Sequence, residues 1–214
     1  MNNLMPSFDI ILTIWNRFDY TKRTIASLIS SGAVADCERF IIVDNRSTEE
    51  GMQAFLHDLY ANMPEISGKV WMLRRGKNDG WATAVNDALG LSRAEYIFLT
   101  NNDVEYFLDF HKKMFESFAH YPTIGLLGVW RHTGHGLTRG GINDEWFRDM
   151  DNVPAVGWMM PKKAMQVVGM LPEHGVCLTK GGNGEDTAYV NRMKQAGFLT
   201  GVLKEDIANH YDGY

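Results

Sequence analysis

Cysteine is nearly missing from this sequence. Its 214 residues contain two, Cys37 and Cys177, far apart and without the close spacing of a metal site or a disulfide framework. A disulfide-stapled scaffold is therefore excluded, and both are expected as free thiols in a reducing compartment. Long apolar runs are missing too: none approaches the roughly 20 residues of a membrane-spanning helix. The start Met1-Asn2-Asn3 lacks the charged and apolar regions of a secretory signal. The expected location is cytoplasmic, with peripheral attachment to a membrane as a variant. Positive charge is not in excess. A formal net charge of −5 and a sequence pI near 5.8 argue against a broad footprint on duplex nucleic acid, while leaving room for a local basic groove. Glycine is absent where it would be diagnostic, because Trp15-Asn16-Arg17-Phe18 follows the first apolar run and a dinucleotide fold would place glycines there. Ligand contacts at that loop are expected from side chains.

What is present is an ordinary globular composition, 45% hydrophobic and 22% charged, which excludes disordered and fibrous classes. The length suits one large domain or two intimate lobes. Residues 94–104 read A-E-Y-I-F-L-T-N-N-D-V, a short buried strand that stops at two amides and a carboxylate. Similar runs occupy residues 8–14, 39–43 and 69–73, and helical patterns follow at 19–31, from about 49, and at 81–91. In the first of these Ile25, Leu28 and Ile29 are expected to face the core. Alternating β and α patterns imply right-handed crossovers and a mainly parallel central sheet flanked by helices. All four strand ends then share one edge, where open α/β sheets bind ligands. Trp15, Asn16, Arg17, Asp44, Arg46, Arg75, Lys77, Asn78, Asn101, Asn102 and Asp103 would converge there.

The second half reads as a helix over 106–120 with Phe107, Phe110, Met114, Phe115 and Phe118 on its core face. A strand at 123–130, a strand at 153–160, a helix at 162–168, a helix from Glu185 to 196 and a strand at 198–203 follow. Two glycine-rich stretches, 131–143 and 179–184, have no period and are expected to order over a bound ligand. His132 and His135 lack carboxylate or cysteine partners nearby and are set aside as a metal pair.

Several residues carry two readings on their own evidence. Asp103 is a metal or phosphate-site residue, or simply part of a strand-to-loop turn. Glu185 and Asp186 are site residues, or acidic groups stabilised by a helix dipole in its first turn. His210 is a ligand or a structural histidine.

Taken together, I-L-T-I-W-N-R, I-I-V-D-N-R-S, K-N-D-G-W-A-T-A-V-N, F-L-T-N-N-D-V, G-G-N-G-E-D-T-A-Y-V-N-R-M-K-Q-A-G-F and N-H-Y-D-G resemble the ordered motifs of the inverting family 2 glycosyltransferases. Within that family the sequence is similar to the rhamnosyltransferase-like subset, where the metal motif reads N-x-D in place of D-x-D. The resemblance implies a single GT-A domain over 1–214, with a nucleotide-binding half (1–105) and an acceptor-binding half (106–214). It implies that Thr13, Asn16, Arg17 and Asp44 hold the nucleotide, Asp44 by accepting from the base edge or ribose. Trp15, Arg75, Asn78, Gly80 and Trp81 are counted in the same nucleotide-sugar site. Asn101 and Asn102 would approach the ribose and diphosphate, and Asp103 and His210 would hold a divalent cation, Mn²⁺ or Mg²⁺. Asp186 would be the single general base of an inverting displacement, with Glu185 orienting the acceptor. The donor is then a UDP- or TDP-sugar, and the acceptor a glycan, a lipid-linked or another hydroxyl. A nucleic-acid acceptor is disfavoured by the acidic pI. Two other functions compete. A sugar-1-phosphate nucleotidyltransferase would need a glycine-rich basic loop after the first strand, and a non-catalytic nucleotide-sugar or glycan binding module would have no use for both Asp103 and Asp186.

Overall fold

The computed structural model describes residues 5–62, 66, 68–129, 141–173 and 184–211. Trp130, His132, His135, Cys177 and all but the last residues of both glycine-rich stretches lie outside that range. In chain order the elements are β1 (Phe8–Ile14), α1 (Phe18–Ser30), α2 (Ala33–Asp36), β2 (Arg39–Asp44), α3 (Met52–Asn62), β3 (Val70–Arg74), α4 (Trp81–Leu89), β4 (Tyr96–Asn101) and β5 (Val104–Tyr106). They continue as α5 (Phe110–His120), β6 (Ile124–Gly128), β7 (Arg148–Asp149), β8 (Gly157–Pro161), α6 (Lys162–Val168), α7 (Glu185–Gln195), β9 (Leu199–Val202) and β10 (Ala208–His210).

Eight strands form the central sheet in the order β3-β2-β1-β4-β8-β6-β9-β7. The first four are parallel, with Thr13 opposite Val43 and Asn101, and Asp44 opposite Arg74. Their carboxyl ends therefore share one edge, as the alternating pattern predicts. The second half adds antiparallel members: β8 runs against β4 and β6, and β7 against β9.

Strand alternation divides the core into two layers. Phe8, Ile10, Leu12 and Ile14 of β1 join the layer with Ile25, Leu28, Leu56 and Phe110. Ile11 faces the other layer, with Ala82, Val85, Ala88, Ala164, Tyr189 and Met193. The small residues Ala82, Ala84 and Ala88 of α4 are fully buried, which lets that helix pack closely on the sheet.

Three expectations change. The helix over 106–120 begins only at Phe110; Tyr106 is in β5, and Phe107, assigned to a core face, is 44% exposed. The strand over 153–160 shortens to β8 because Pro154 has no N–H to pair, and its carbonyl instead accepts from Val156 N at 2.9 Å and Trp158 Nε1 at 2.8 Å. Finally, α1 buries Thr21, Thr24 and Ser27 beside Ile25 and Leu28, so its inner face is partly hydroxyl. Ile29 is only half-buried.

Those hydroxyls explain β5. Val104 N donates to Thr24 Oγ1 at 3.1 Å and Tyr106 N to Ser27 Oγ at 3.1 Å, so a helix supplies acceptors along one strand edge. Antiparallel β10 covers the other edge, with His210 opposite Val104.

Candidate nucleotide-sugar site

At the carboxyl edge of the parallel strands lies an open cavity of about 460 Å³, lined by Thr13, Ile14, Trp15, Arg17, Asn45, Asn78, Gly80, Trp81, Asn101, Asn102 and Asp103. Nine of the residues expected at the site meet here. Larger grooves of about 880 and 760 Å³ lie along the outer strand β3 and at the amino end of β4, away from the converging strand ends.

Beyond β1 the chain takes two successive left-handed residues, Asn16 (φ 53) and Arg17 (φ 57), an uncommon backbone for side-chain-bearing residues. Several bonds hold it. Asn16 N donates to Ser47 Oγ at 2.9 Å, Asn102 Nδ2 donates to the Asn16 carbonyl at 2.8 Å, and Thr21 N donates to the Arg17 carbonyl at 2.9 Å. Asn16 does not line the cavity. Its Oδ1 accepts from Thr48 N at 2.8 Å and Glu49 N at 3.2 Å, so it ties this loop to the one after β2.

Asp44 is also absent from the cavity. It is 1% exposed, and its oxygens accept from Ser47 N at 2.8 Å and Gln53 Nε2 at 2.7 Å, with Arg74 Nε 3.4 Å away. The lining residue is its neighbour Asn45, which the sequence reading passed over; the only available signal was its place at a polar strand end. Asn45 Nδ2 donates to Asn78 Oδ1 at 2.8 Å and to the Gly80 carbonyl at 3.2 Å. Arg75 stands behind it rather than in the cavity, donating to Asn45 Oδ1 at 2.9 Å and to Asp87 Oδ2 at 2.7 Å, and pairing with Asp79. The hydrogen bond from Arg75 holds the Asp79 carboxyl below the usual carboxylate range.

β4 delivers the other wall. Asn101 Nδ2 donates to the Ala155 carbonyl at 2.8 Å and Asn102 Nδ2 to Thr21 Oγ1 at 2.8 Å. Asp103 is 8% exposed. Its Oδ2 is 2.5 Å from Arg17 Nη1, and its Oδ1 is 3.4 Å from His210 Nε2. The β5–β10 pairing makes this meeting, and Tyr211 N fixes it by donating to the Asp103 carbonyl at 2.9 Å. Tyr211 is in turn stacked on Tyr20 and covered by the Arg23 guanidinium, 3.9 Å from its ring centre.

Glu185 and Asp186 open α7. Neither lines the cavity, but Glu185 Oε1 reaches its rim, 3.9 Å from the point a Cβ on Gly80 would occupy. Gly80 has φ +108, a conformation that disfavours any side chain. Asp186 Oδ1 accepts from Thr187 N at 2.7 Å.

Residues 9–179 match the family described as Glycosyl transferase family 2, and the chain belongs to that family. Among curated proteins, Protein CgeD of Bacillus subtilis (strain 168) is 26% identical over 147 residues, covering 67% of this chain and 34% of CgeD. The chain thus spans about a third of that relative's length. Among solved structures, a mannosyltransferase, PcManGT from Pyrobaculum calidifontis in complex with GDP-Man and Mn²⁺, superposes with a TM-score of 0.73 at 12% identity, over 98% of this chain and 58% of that one. GalNAc-T7 with UDP, GalNAc and Mn²⁺ gives 0.74 at 11% identity, over 96% and 43%. S. aureus TarS 1-349 gives 0.66 at 12% identity, over 94% and 59%. At such identities the likeness is one of fold, and that fold is GT-A.

Proposed function

We propose that this chain transfers a sugar from a nucleoside diphosphate donor to an acceptor hydroxyl with inversion, in the manner of the rhamnosyltransferase-like subset. Residues 1–105 would bind the donor, a UDP- or TDP-sugar, and residues 106–214 the acceptor. The carrying observation is the meeting of Asp103 and His210 beyond the end of β4, where Asp103 Oδ1, 3.4 Å from His210 Nε2, is buried with no hydrogen-bond partner among the described residues. Such an atom costs free energy unless something completes it, and a carboxylate facing an imidazole fits a divalent cation. No group of three or more potential ligands gathers among the described residues. Two protein donors suit Mg²⁺ or Mn²⁺, which keep water and substrate oxygens in their shells. The named complexes of PcManGT and GalNAc-T7, both with Mn²⁺, support this choice. When bound, the cation would stabilise the negative charge growing on the departing diphosphate.

The chain's own groups supply the rest. Arg17, half-exposed at the cavity wall, offers a planar fork to phosphate oxygens. Trp15, 56% exposed at the rim, offers a flat apolar face to a base or sugar ring. Asp186 takes the proton of the acceptor hydroxyl as that oxygen bonds to the anomeric carbon and the bond to the diphosphate breaks, and Glu185 orients the acceptor beside Gly80. A single base suffices for one direct displacement.

A thermal-shift screen of UDP, TDP, GDP and CDP with and without Mn²⁺ tests the reading. At about a hundred times the dissociation constant, a ligand specific for the folded state stabilises by about 2.7 kcal/mol. A pyrimidine nucleoside diphosphate should raise the melting temperature, and more so with Mn²⁺. No shift with any of the four would defeat the proposal.

A further inference from the structure

Two side chains that line the cavity end in buried polar atoms with no hydrogen-bond partner among the described residues: the indole Nε1 of Trp81 and the amide Oδ1 of Asn101. The first can only donate and the second can only accept. One segment backs both. The Ala155 carbonyl, itself an acceptor, takes the Asn101 amide nitrogen at 2.8 Å and so leaves Oδ1 as the end without a partner. Three residues on, Trp158 packs edge-on against Trp81 with ring centres 5.9 Å apart. Trp158 is buried, donates from its own Nε1 to the Pro154 carbonyl at 2.8 Å, and stacks on Tyr189 of α7.

A buried donor and a buried acceptor each cost free energy while unpaired, and few ligand groups complete both. A phosphate oxygen accepts from the indole but offers the amide oxygen nothing, and a cation does the reverse. A hydroxyl serves both, through its oxygen and its hydrogen. Resting on the reading of this cavity as a nucleotide-sugar site, we propose that Trp81 Nε1 and Asn101 Oδ1 together bind one hydroxyl of the transferred sugar. The sugar is favoured over the ribose because this wall leads to the groups proposed to hold the acceptor. Gly80, just before Trp81, is the residue that Glu185 Oε1 approaches, and Trp158 joins Trp81 to α7. Trp81 is then a specificity-determining residue. A donor sugar without that hydroxyl leaves two buried atoms unpaired and is rejected for that reason.

The test is calorimetric titration, with Mn²⁺ present, of UDP, TDP, UDP-glucose, UDP-galactose, UDP-N-acetylglucosamine and TDP-rhamnose into wild type and Trp81→Phe. The variant keeps a ring against Trp158 and removes the N–H. The sugar that most raises affinity over its bare diphosphate is then compared with its monodeoxy analogues. In wild type one analogue should bind about tenfold more weakly than the parent, as loss of one or two hydrogen bonds implies. Trp81→Phe should lose about the same factor for the parent and bind the bare diphosphate as wild type does. It should distinguish the parent from that analogue by no more than about threefold, because losses that share one hydroxyl do not add. Equal losses for the sugar nucleotide and the bare diphosphate would place the contact on the ribose and overturn the assignment. Full discrimination by Trp81→Phe would overturn it as well. So would wild type alone, if every analogue matched the parent or no sugar raised affinity above its diphosphate; the nucleotide site would still stand. Failure of wild type to bind any of the six would overturn both readings.

Discussion

Thr21 Oγ1 accepts a 2.8 Å hydrogen bond from Asn102 Nδ2, across 81 residues of sequence. With Thr24 and Ser27, which accept from Val104 N and Tyr106 N, it forms a stripe of hydroxyls on α1 that holds β5, the strand just after Asp103. Thr24→Val keeps the shape and removes the acceptor for Val104 N. That buried N–H should then cost about 1–3 kcal/mol, measured by urea unfolding. An unchanged midpoint would show that the stripe is not holding β5.

Asn45 should matter more to nucleotide binding than Asp44. Asn45→Ala removes the amide that lines the cavity and joins Asn78 and Gly80 to Arg75. Loss of one or two such bonds is worth about 1.4 kcal/mol, or about tenfold in affinity. Calorimetric titration with UDP and Mn²⁺ measures it, and affinity within twofold of wild type would remove Asn45 from the site.

Asp103→Asn should abolish the Mn²⁺ dependence of UDP binding while leaving the fold intact, because the amide keeps an oxygen for Arg17 and loses the charge that attracts a cation. Titrations at several Mn²⁺ concentrations check this. A variant that keeps the wild-type metal dependence would refute the assignment of Asp103 as ligand.

For Asp186 the expected pattern is different. Asp186→Asn preserves shape and keeps a side-chain oxygen for Thr187 N, but cannot accept the hydroxyl proton. Transfer should fall roughly 10²- to 10⁴-fold with little change in nucleotide or metal affinity. Under the alternative, in which Asp186 only favours the helix dipole, the variant loses some stability and keeps its turnover. Rates within about threefold of wild type would select that alternative.

Stability should also depend on pH through His111. This side chain is fully buried, stacks on Phe8, and bonds to Asp36 Oδ2 at 2.8 Å, with Asp109 and Lys112 nearby. Burial, outweighing Asp36, holds its pKa below the ordinary 6.5. The unfolded chain therefore takes up the proton first as pH falls, so the folded state is fully favoured above about 6.5 and loses stability below it. His111→Gln should flatten the profile between pH 7.5 and 5.5, measured by urea midpoints; parallel profiles would contradict this.

Much of the secondary structure is legible in one dimension. β1 and α6 fall where their apolar patterns end, and the polar strand ends share one edge beside the cavity, because periodicity and turn chemistry are local. Which side chain enters the cavity is not local. Asp44 and Asn45 are adjacent at the end of β2, and neighbours on a strand point to opposite faces; only packing decided that the carboxylate would turn inward to Ser47 and Gln53. Arg75 likewise reads as a free cation in sequence and is spent inside the fold on Asn45, Asp79 and Asp87. The hydroxyl stripe of α1 was invisible for a related reason: Thr and Ser at helical spacing look solvent-facing until a strand needs acceptors. Residue types and local order were determined by sequence alone. The meeting of Asp103, Arg17 and His210 required a sheet edge, a left-handed loop and the β5–β10 pairing to close together, which only tertiary structure decides.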